Sequence, residues 1–244
     1  MPPVMRRMAL GVALSLAAVL AVHASSLQIS PVMVDLPAGQ AATGISLRNP
    51  GDQPLFGQVR VFRWDQSGDD DVLEPTEEVV ASPPLIRIPA QGEQLVRLIR
   101  QQPGNAAGER SYRVLVDEIP NPENNTASGV TIRLRYSVPV FVEPPGQPGT
   151  PQLTWHLQRD AQGWLLRVSN RGNRRGQLSS VQLVTADGRA HPINQGLLGY
   201  ALAGRTRQWR VALKEDIDLQ APLKIRANIN AQPAEAGLSI DPRQ

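Results

Sequence analysis

One stretch of the chain, Gly129 to Pro145, restricts the fold more than any other, and it reads GVTIRLRYSVPVFVEPP. Apolar side chains occupy every second position in it: Val130, Ile132, Leu134, Tyr136, Val138 and Val140. A strict period of two predicts a β-strand with one apolar and one polar face. At roughly 13 or more residues, this strand would far exceed the usual length of about 5 to 6. If the chain's own sheet does not cover the whole apolar row, another molecule must.

The N-terminus has the pattern of a secretory signal. Arg6 and Arg7 precede an apolar run from Met8 to Val22, and small residues stand at Val22 and Ala24, the positions that a signal peptidase reads. The run is too short and too lightly flanked for a stable membrane span. We therefore expect residues 1–24 to be a signal peptide that is cleaved near Ala24.

Charge and cysteine content exclude several classes of function. The chain has 25 basic and 22 acidic residues, and two of the basic ones lie in the leader. No run of like charge indicates a polyanionic partner, so we expect no nucleic acid to bind. The clusters Arg174-Arg175 and Asp69-Asp70-Asp71 look like solvated loops. The chain has no cysteine, which excludes disulfides and thiol catalysis and leaves core packing to hold an exported protein together.

The mature chain alternates in short β patterns that end at Gly, Pro, Asn and Asp turns. Strands are predicted within the segments 27–36, 43–48, 56–64, 85–89, 93–100, 111–119, 129–145, 153–157, 164–169, 177–184, 197–202, 206–213 and 222–230. We expect Asp65 to Asp71 to be a polar loop and Gln232 to Gln244 to be a loose tail. The nearest approach to a helical period, Val211 to Leu219, is short.

This spacing predicts an all-β protein of two β-sandwich domains. The boundary between them falls in Pro144 to Pro151, PPGQPGTP, because its prolines and glycines cannot continue a sheet and form a semi-rigid hinge. The predicted domains are residues 25–145, which contain the long strand, and residues 146–244.

No arrangement of residues indicates catalysis. His156 and His191 lie in different predicted elements, and neither has a second ligand at metal spacing. Asp117 and Glu118 are adjacent in a strand, so their side chains point to opposite faces and cannot share a proton. No nucleophile elbow or phosphate-binding glycine loop occurs. We predict that the protein is not an enzyme and needs no cofactor, metal or small-molecule substrate.

Several motifs resemble those of the PapD-like periplasmic chaperones of pilus assembly. They are Glu118-Ile119-Pro120, the 129–145 strand with its prolines, Asn49-Pro50-Gly51, Ser82-Pro83-Pro84 and Val96-Arg97-Leu98. The resemblance covers essentially the whole mature chain and is specific in the first domain. It implies two immunoglobulin-like β-sandwiches arranged in an L or boomerang shape, and a periplasmic location.

The resemblance also implies donor-strand complementation. A pilus subunit is an immunoglobulin-like sandwich that lacks its last strand, and such a chaperone lends a strand to its open edge before delivery to an outer-membrane usher. The positions that match the donor row are Val130, Ile132, Leu134 and Tyr136. A long exposed apolar strand also favours self-capping of the free chaperone as a homodimer, which the sequence leaves open.

Two departures from the family pattern concern basic residues. Conventional members bind the subunit's C-terminal carboxylate with an arginine and a lysine, but the matching places here fall near Val32 and at Pro139. Their usual interdomain arginine is Glu143, so its pair with Glu118 is not expected to form. This indicates the divergent, archaic branch of the family. The candidates for the carboxylate anchor are Arg97 and Arg113, which we expect on strands next to the donor strand, and then Arg100, Arg133 and Arg135.

Two other functions remain as alternatives. The first is a structural or adhesive cell-surface β-sandwich protein, such as a pilus subunit itself, although a subunit is expected to have one incomplete domain rather than two domains and a hinge. The second is a carbohydrate-active or carbohydrate-binding module, which would need clustered aromatic residues. The four tryptophans are scattered along the sequence.

Overall fold

The computed structural model describes residues 27–68, 70–101, 108–120, 133–146, 149–213 and 217–240. The described residues form strands and connecting turns, without a helix. The strands of the first half are β1 (Gln28–Ser30), β2 (Val34–Leu36), β3 (Ala42–Arg48), β4 (Leu55–Ser67), β5 (Asp70–Pro75), β6 (Val79–Ser82), β7 (Leu85–Ile88), β8 (Glu93–Arg100), β9 (Arg110–Ile119) and β10 (Arg135–Val142). Those of the second half are β11 (Leu153–Asp160), β12 (Gly163–Asn170), β13 (Gly176–Val184), β14 (Ala190–Ala201), β15 (Thr206–Val211), β16 (Leu223–Ile229) and β17 (Gln232–Ile240).

The first ten strands form two sheets around one core. One sheet has the order β1-β3-β8-β6, and the other has the order β2-β10-β9-β4-β5, with β7 added beside β4. Alternate residues of both sheets meet between them, as in Val96 and Leu98 of β8 and Val114 and Val116 of β9, which are all buried. This is the sandwich that the period-two patterns predicted.

The last seven strands form one hydrogen-bonded path, β14-β13-β16-β17-β11-β12-β15. Its inward residues make a second, separate core that includes Trp155, Leu166 and Ile225. The prediction of an all-β protein with two sandwich-like domains is confirmed. The residue boundaries of the domains stay a prediction.

Two of the predicted loops are wrong. The segment from Gln232 to Ile240 is not a loose tail, because it forms β17 and pairs with both β16 and β11. The segment Asp65 to Asp71 is not simply a loop, because β4 runs on to Ser67 and returns as β5. Small and charged residues carry these strands, so the apolar alternation that marks a strand is weak in both.

Candidate functional site

Strand β10 has an open edge. All of its residues pair with β9 on one side, from Arg135 opposite Asp117 to Val142 opposite Arg110. On the other side β2 pairs with it only at Val140–Val142. Along Arg135–Pro139, no strand among the described residues occupies that side. Within the predicted long strand, β10 thus begins at Arg135, and its first five residues present an unpaired backbone edge.

Burial rises steadily along the apolar row. Leu134 is 39% exposed, Tyr136 is half-buried against the first core, and Val138 and Val140 are buried. The end of the row nearest the second domain thus belongs to the chain's own core, whereas Leu134 is left uncovered. Val130 and Ile132, the other two predicted donor residues, lie outside the described residues.

Hydrogen bonds hold the start of the open edge in place. The backbone N–H of Glu118 donates to the carbonyl oxygen of Leu134 at 3.0 Å. The hydroxyl of Tyr136 donates to the Glu118 carboxylate at 3.2 Å and accepts from the N–H of Leu27 at 3.0 Å. Burial and the neighbouring Glu118 raise the pKa of Tyr136 to about 12. These contacts link the start of β10 to Glu118 at the end of β9 and to Leu27 next to β1 of the other sheet. They lie at the point where the first core stops burying the apolar row.

Two of the candidate arginines lie beside this edge. Arg133 and Arg135 line an open cleft of about 460 Å³ together with Arg60 and Asp117. Arg135 and Arg60 both bind the Asp117 carboxylate. Although partial burial opposes it, these hydrogen bonds lower the pKa of Asp117. Arg135 is thus already paired within the chain.

Two other candidate arginines lie on a different sheet from β10. Arg97 and Arg100 belong to β8, which pairs with β3 and β6. The prediction that Arg97 lies on a strand next to the donor strand is therefore wrong. Its side chain is exposed on the outer face of the opposite sheet. Arg100 donates to the carbonyl oxygen of Ala38 at 3.1 Å.

Arg113 has the environment best suited to a carboxylate. It lies opposite Pro139 on the strand next to β10, and its guanidinium stacks 3.6 Å from the centre of the Trp64 ring. Burial lowers its pKa. Arg207 of the second domain approaches the same place, because both arginines lie near the Asp71 carboxylate, at 3.8 and 3.9 Å.

The two arginines outnumber the acid that they share. Neither distance to Asp71 is that of a good hydrogen bond. The Nη1 atom of Arg207 is buried without a hydrogen-bond partner in the described part of the chain. Sequence reasoning missed Arg207, since nothing in the alternation of β15 relates it to a strand of the other domain.

A buried ion pair joins the two domains. Arg175 donates to the Glu109 carboxylate at 2.5 Å through Nη1 and to Asp35 at 2.6 Å through Nη2. Its guanidinium lies 3.6 Å from the centre of the Phe141 ring. Burial raises the pKa of Glu109, and the charge of Arg175 opposes that shift. A second-domain arginine thus neutralises a first-domain carboxylate inside the junction.

This geometry corrects one sequence-based expectation and adds to two others. Arg175 is buried rather than solvated, whereas Asp71 is exposed as expected and also lies near Arg113 and Arg207. The carboxylate of the interdomain pair is Glu109, whereas Glu118 serves the donor strand. Glu143 contributes as an acid, by accepting from Arg174 at 3.3 Å.

Four side chains fill the junction beside these ions: Trp64, Phe141, Tyr200 and Leu202. Trp64 meets Tyr200 edge-on, with ring centres 5.4 Å apart. Phe141 can reach this cluster because it points away from the first core, between Val140 and Val142. The second domain therefore covers the end of the same sheet face that carries Arg113.

Neither a metal site nor a membrane-spanning helix is found among the described residues. No group of His, Asp and Glu residues that could hold a metal ion occurs in the part of the chain that the structure describes. Within those same residues, no helix is long and apolar enough to cross a membrane.

Comparison with known proteins gives three concordant findings. Residues 26–148 match the family described as pili and flagellar-assembly chaperone, PapD N-terminal domain. The fimbrial chaperone YhcA of Escherichia coli K12, itself uncharacterized, is 27% identical over 146 residues, which span 60% of this chain and 61% of that protein.

Solved structures show the same fold over nearly the whole chain. One is the complex of the chaperone CsuC with the tip adhesion subunit CsuE from the archaic Csu pili of Acinetobacter baumannii. It has a TM-score of 0.67 at 23% identity and covers 89% of this chain and 100% of the matched one. Another is the SafA pilin with the SafB chaperone of Salmonella enterica, with a TM-score of 0.59 at 20% identity, covering 87% and 93%.

Proposed function

Because the chain belongs to the pilus and flagellar-assembly chaperone family of PapD, we propose that it folds and caps pilus subunits by donor-strand complementation and delivers them to an outer-membrane usher. The observation that carries the proposal is the open edge of β10 next to an apolar row that its own core leaves uncovered at Leu134.

The open edge has the chemistry that an incomplete sandwich requires. Backbone N–H and C=O groups along Arg135–Pro139 can pair with a client strand, which removes an edge that would otherwise aggregate. Leu134, with Val130 and Ile132 before it, would enter the client's core, and each such side chain contributes about 1.5 to 3 kcal/mol when buried. Tyr136 marks the end of the donated segment, since its own domain already holds it.

For the C-terminal carboxylate of the client we propose Arg113 as the anchor, with Arg207 as its partner. Arg113 and Arg207 share only the carboxylate of Asp71, so they can bind a second carboxylate, that of the client. Partial burial of the site strengthens the attraction between the guanidinium groups and that carboxylate. The remaining candidates are less suited, because Arg135 is paired with Asp117 and Arg97 lies on the opposite sheet.

The family is periplasmic, which implies export. We propose that residues 1–24 are the signal peptide, that cleavage falls near Ala24, and that the domains span residues 25–145 and 146–244. Two complete β cores argue against the alternative of a pilus subunit, which would lack a strand. An apolar edge without a client also favours self-capping as a homodimer.

A pull-down with a matched control tests the donor role. Leu134→Arg and Leu95→Arg each place a charge at an exposed leucine of the first domain, but only Leu134 lies at the start of the open edge, directly before β10. Each variant is co-expressed with a pilus subunit that forms a complex with the wild-type chaperone, and the complexes are recovered from the periplasm. We expect Leu134→Arg to lose the complex while melting like wild type, and Leu95→Arg to retain it. Undiminished complex with Leu134→Arg would refute the proposal.

A further inference from the structure

The second domain contains a basic cleft that the proposed chaperone function does not use. It has a volume of about 570 Å³ and opens on the outer face of β11, β12 and β15. Three arginines and three hydroxyl side chains line it, together with His156, Asn170 and Gly204. These are Arg167, Arg171, Arg205, Thr154, Ser169 and Thr206. No Asp or Glu is among the described residues of its wall.

Two of the arginines have no acidic partner among the described residues. Arg167 and Arg171 are exposed at the cleft, and neither forms an ion pair with any residue in the described ranges. Arg205 is committed in part, because its Nε and Nη2 atoms bind Asp65 of the first domain. The cleft therefore keeps an excess of positive charge that no acid among the described residues of its wall balances.

The hydroxyl groups provide a further donor. The Ser169 and Thr206 oxygens lie 2.8 Å apart, and either one can be the donor. Whichever donates, the other hydroxyl keeps its own hydrogen, which is free to point into the cleft. Guanidinium forks together with a hydroxyl donor suit an oxygen-rich tetrahedral anion.

The backbone that carries these groups is fixed before any ligand arrives. The buried side-chain amide of Asn170 accepts from the N–H groups of Gln152 and Gly172 and donates to the carbonyl oxygens of Arg174 and Ala201. The N–H of Asn170 also donates to the carbonyl oxygen of Arg205 at 2.8 Å. Asn170 thus holds both the loop after β12, at Gly172 and Arg174, and the turn between β14 and β15, at Ala201 and Arg205. A backbone that is already ordered lowers the entropic cost of binding a ligand.

We propose that this cleft binds a phosphate group, with Arg167 and Arg171 as the principal ligands, Arg205 supplying charge, and the Ser169–Thr206 pair donating a hydrogen bond. The group can belong to free phosphate or to a phospholipid headgroup, since the chemistry presented to the cleft is the same. The proposal is independent of donor-strand complementation, because the cleft lies in the other domain.

Calorimetric titration of the full mature chain with inorganic phosphate at low ionic strength tests the site. We expect one saturable site in wild type and a loss of affinity of about tenfold for Arg167→Gln and for Arg171→Gln. Arg189→Gln removes the same charge from the same domain at an exposed position that pairs with Asp187, and it should bind like wild type. Absence of saturable binding, or an equal loss with Arg189→Gln, would overturn the proposal.

A second arm identifies the source of the phosphate. Vesicles of phosphatidylglycerol and vesicles of phosphatidylcholine are each sedimented with the protein, with and without inorganic phosphate. Binding that phosphate displaces and that Arg167→Gln and Arg171→Gln weaken assigns the cleft to a lipid headgroup. Binding of inorganic phosphate without vesicle binding assigns it to a soluble phosphate. Vesicle binding that neither variant weakens counts against the site.

Discussion

Replacing Arg175 with methionine should destabilise the protein strongly, because Glu109 would be left buried with only the more distant Arg174, at 3.9 Å, as a counter-charge. The Glu109 side chain is 1% exposed and that of Arg175 is 5% exposed, so water cannot take over the lost contacts. Removing one partner of a buried pair costs about 3 to 5 kcal/mol. Methionine keeps an apolar contact with Phe141, so the loss reports mainly on the ion pair rather than on a cavity.

The same variant should acquire a characteristic dependence on pH. Burial already raises the pKa of Glu109 above 4.5, so between 4.5 and the raised value the native state binds more protons than the unfolded state. Stability therefore falls as the pH rises through that window. Without Arg175 the native pKa of Glu109 rises further, so the destabilisation by Arg175→Met should be greater at neutral pH than at pH 4.5.

Urea unfolding followed by tryptophan fluorescence measures both effects. Adding Glu109→Gln to Arg175→Met removes the stranded charge and should restore more than half of the lost free energy of unfolding. Arg189→Met, at an exposed ion pair, should stay within about 0.5 kcal/mol of wild type. A loss below about 1 kcal/mol for Arg175→Met, or the same loss at both pH values, would refute the reasoning.

Three further predictions concern the junction, the donor edge and a loop. Trp64→Ala should cost about 3 to 5 kcal/mol and separate the melting transitions of the two domains in calorimetry; a single unchanged transition would contradict this. Tyr136→Phe should cost about 1 kcal/mol through its lost bond to Glu118. It should also reduce the decline in stability between pH 10.0 and about 12, over which the native state alone retains the phenolic proton; an unchanged pH profile would count against it. Gly172→Ala should lower the melting temperature, since a Cβ there would collide with the backbone oxygen of Thr150, whereas Gly237→Ala, which has open space around it, should not.

The sequence predicted the structure well wherever a strand buries large apolar side chains at every second position. The alternation in β8, β9 and β10 predicted strands that the structure contains, and the proline–glycine run after Val142 separates the two cores. It failed where inward positions hold small residues. In β17 the inward row is Ala234, Ala236, Leu238 and Ile240, which resembles a loose tail when its neighbours in space are unknown.

Charged residues were the hardest to interpret. Arg175 and Arg97 look alike in sequence, yet one is buried against Glu109 and Phe141 and the other is exposed on an outer face. Only tertiary structure separates them, since a local pattern records which face a side chain occupies but not what covers that face. Arg207 was missed for the same reason, because its partners belong to the other domain.

The charged partners at the junction come from different domains, and this limits how domains can be exchanged between related proteins. Glu109 and Asp35 come from one half of the chain and Arg175 from the other, so each half carries charges that are satisfied only by this particular combination. A chimaera that joins the first half to a second domain with a neutral residue at the place of Arg175 would bury Glu109 without this partner and leave Asp35 unpaired with it. We therefore expect a working exchange of domains to transplant both sides of the junction together.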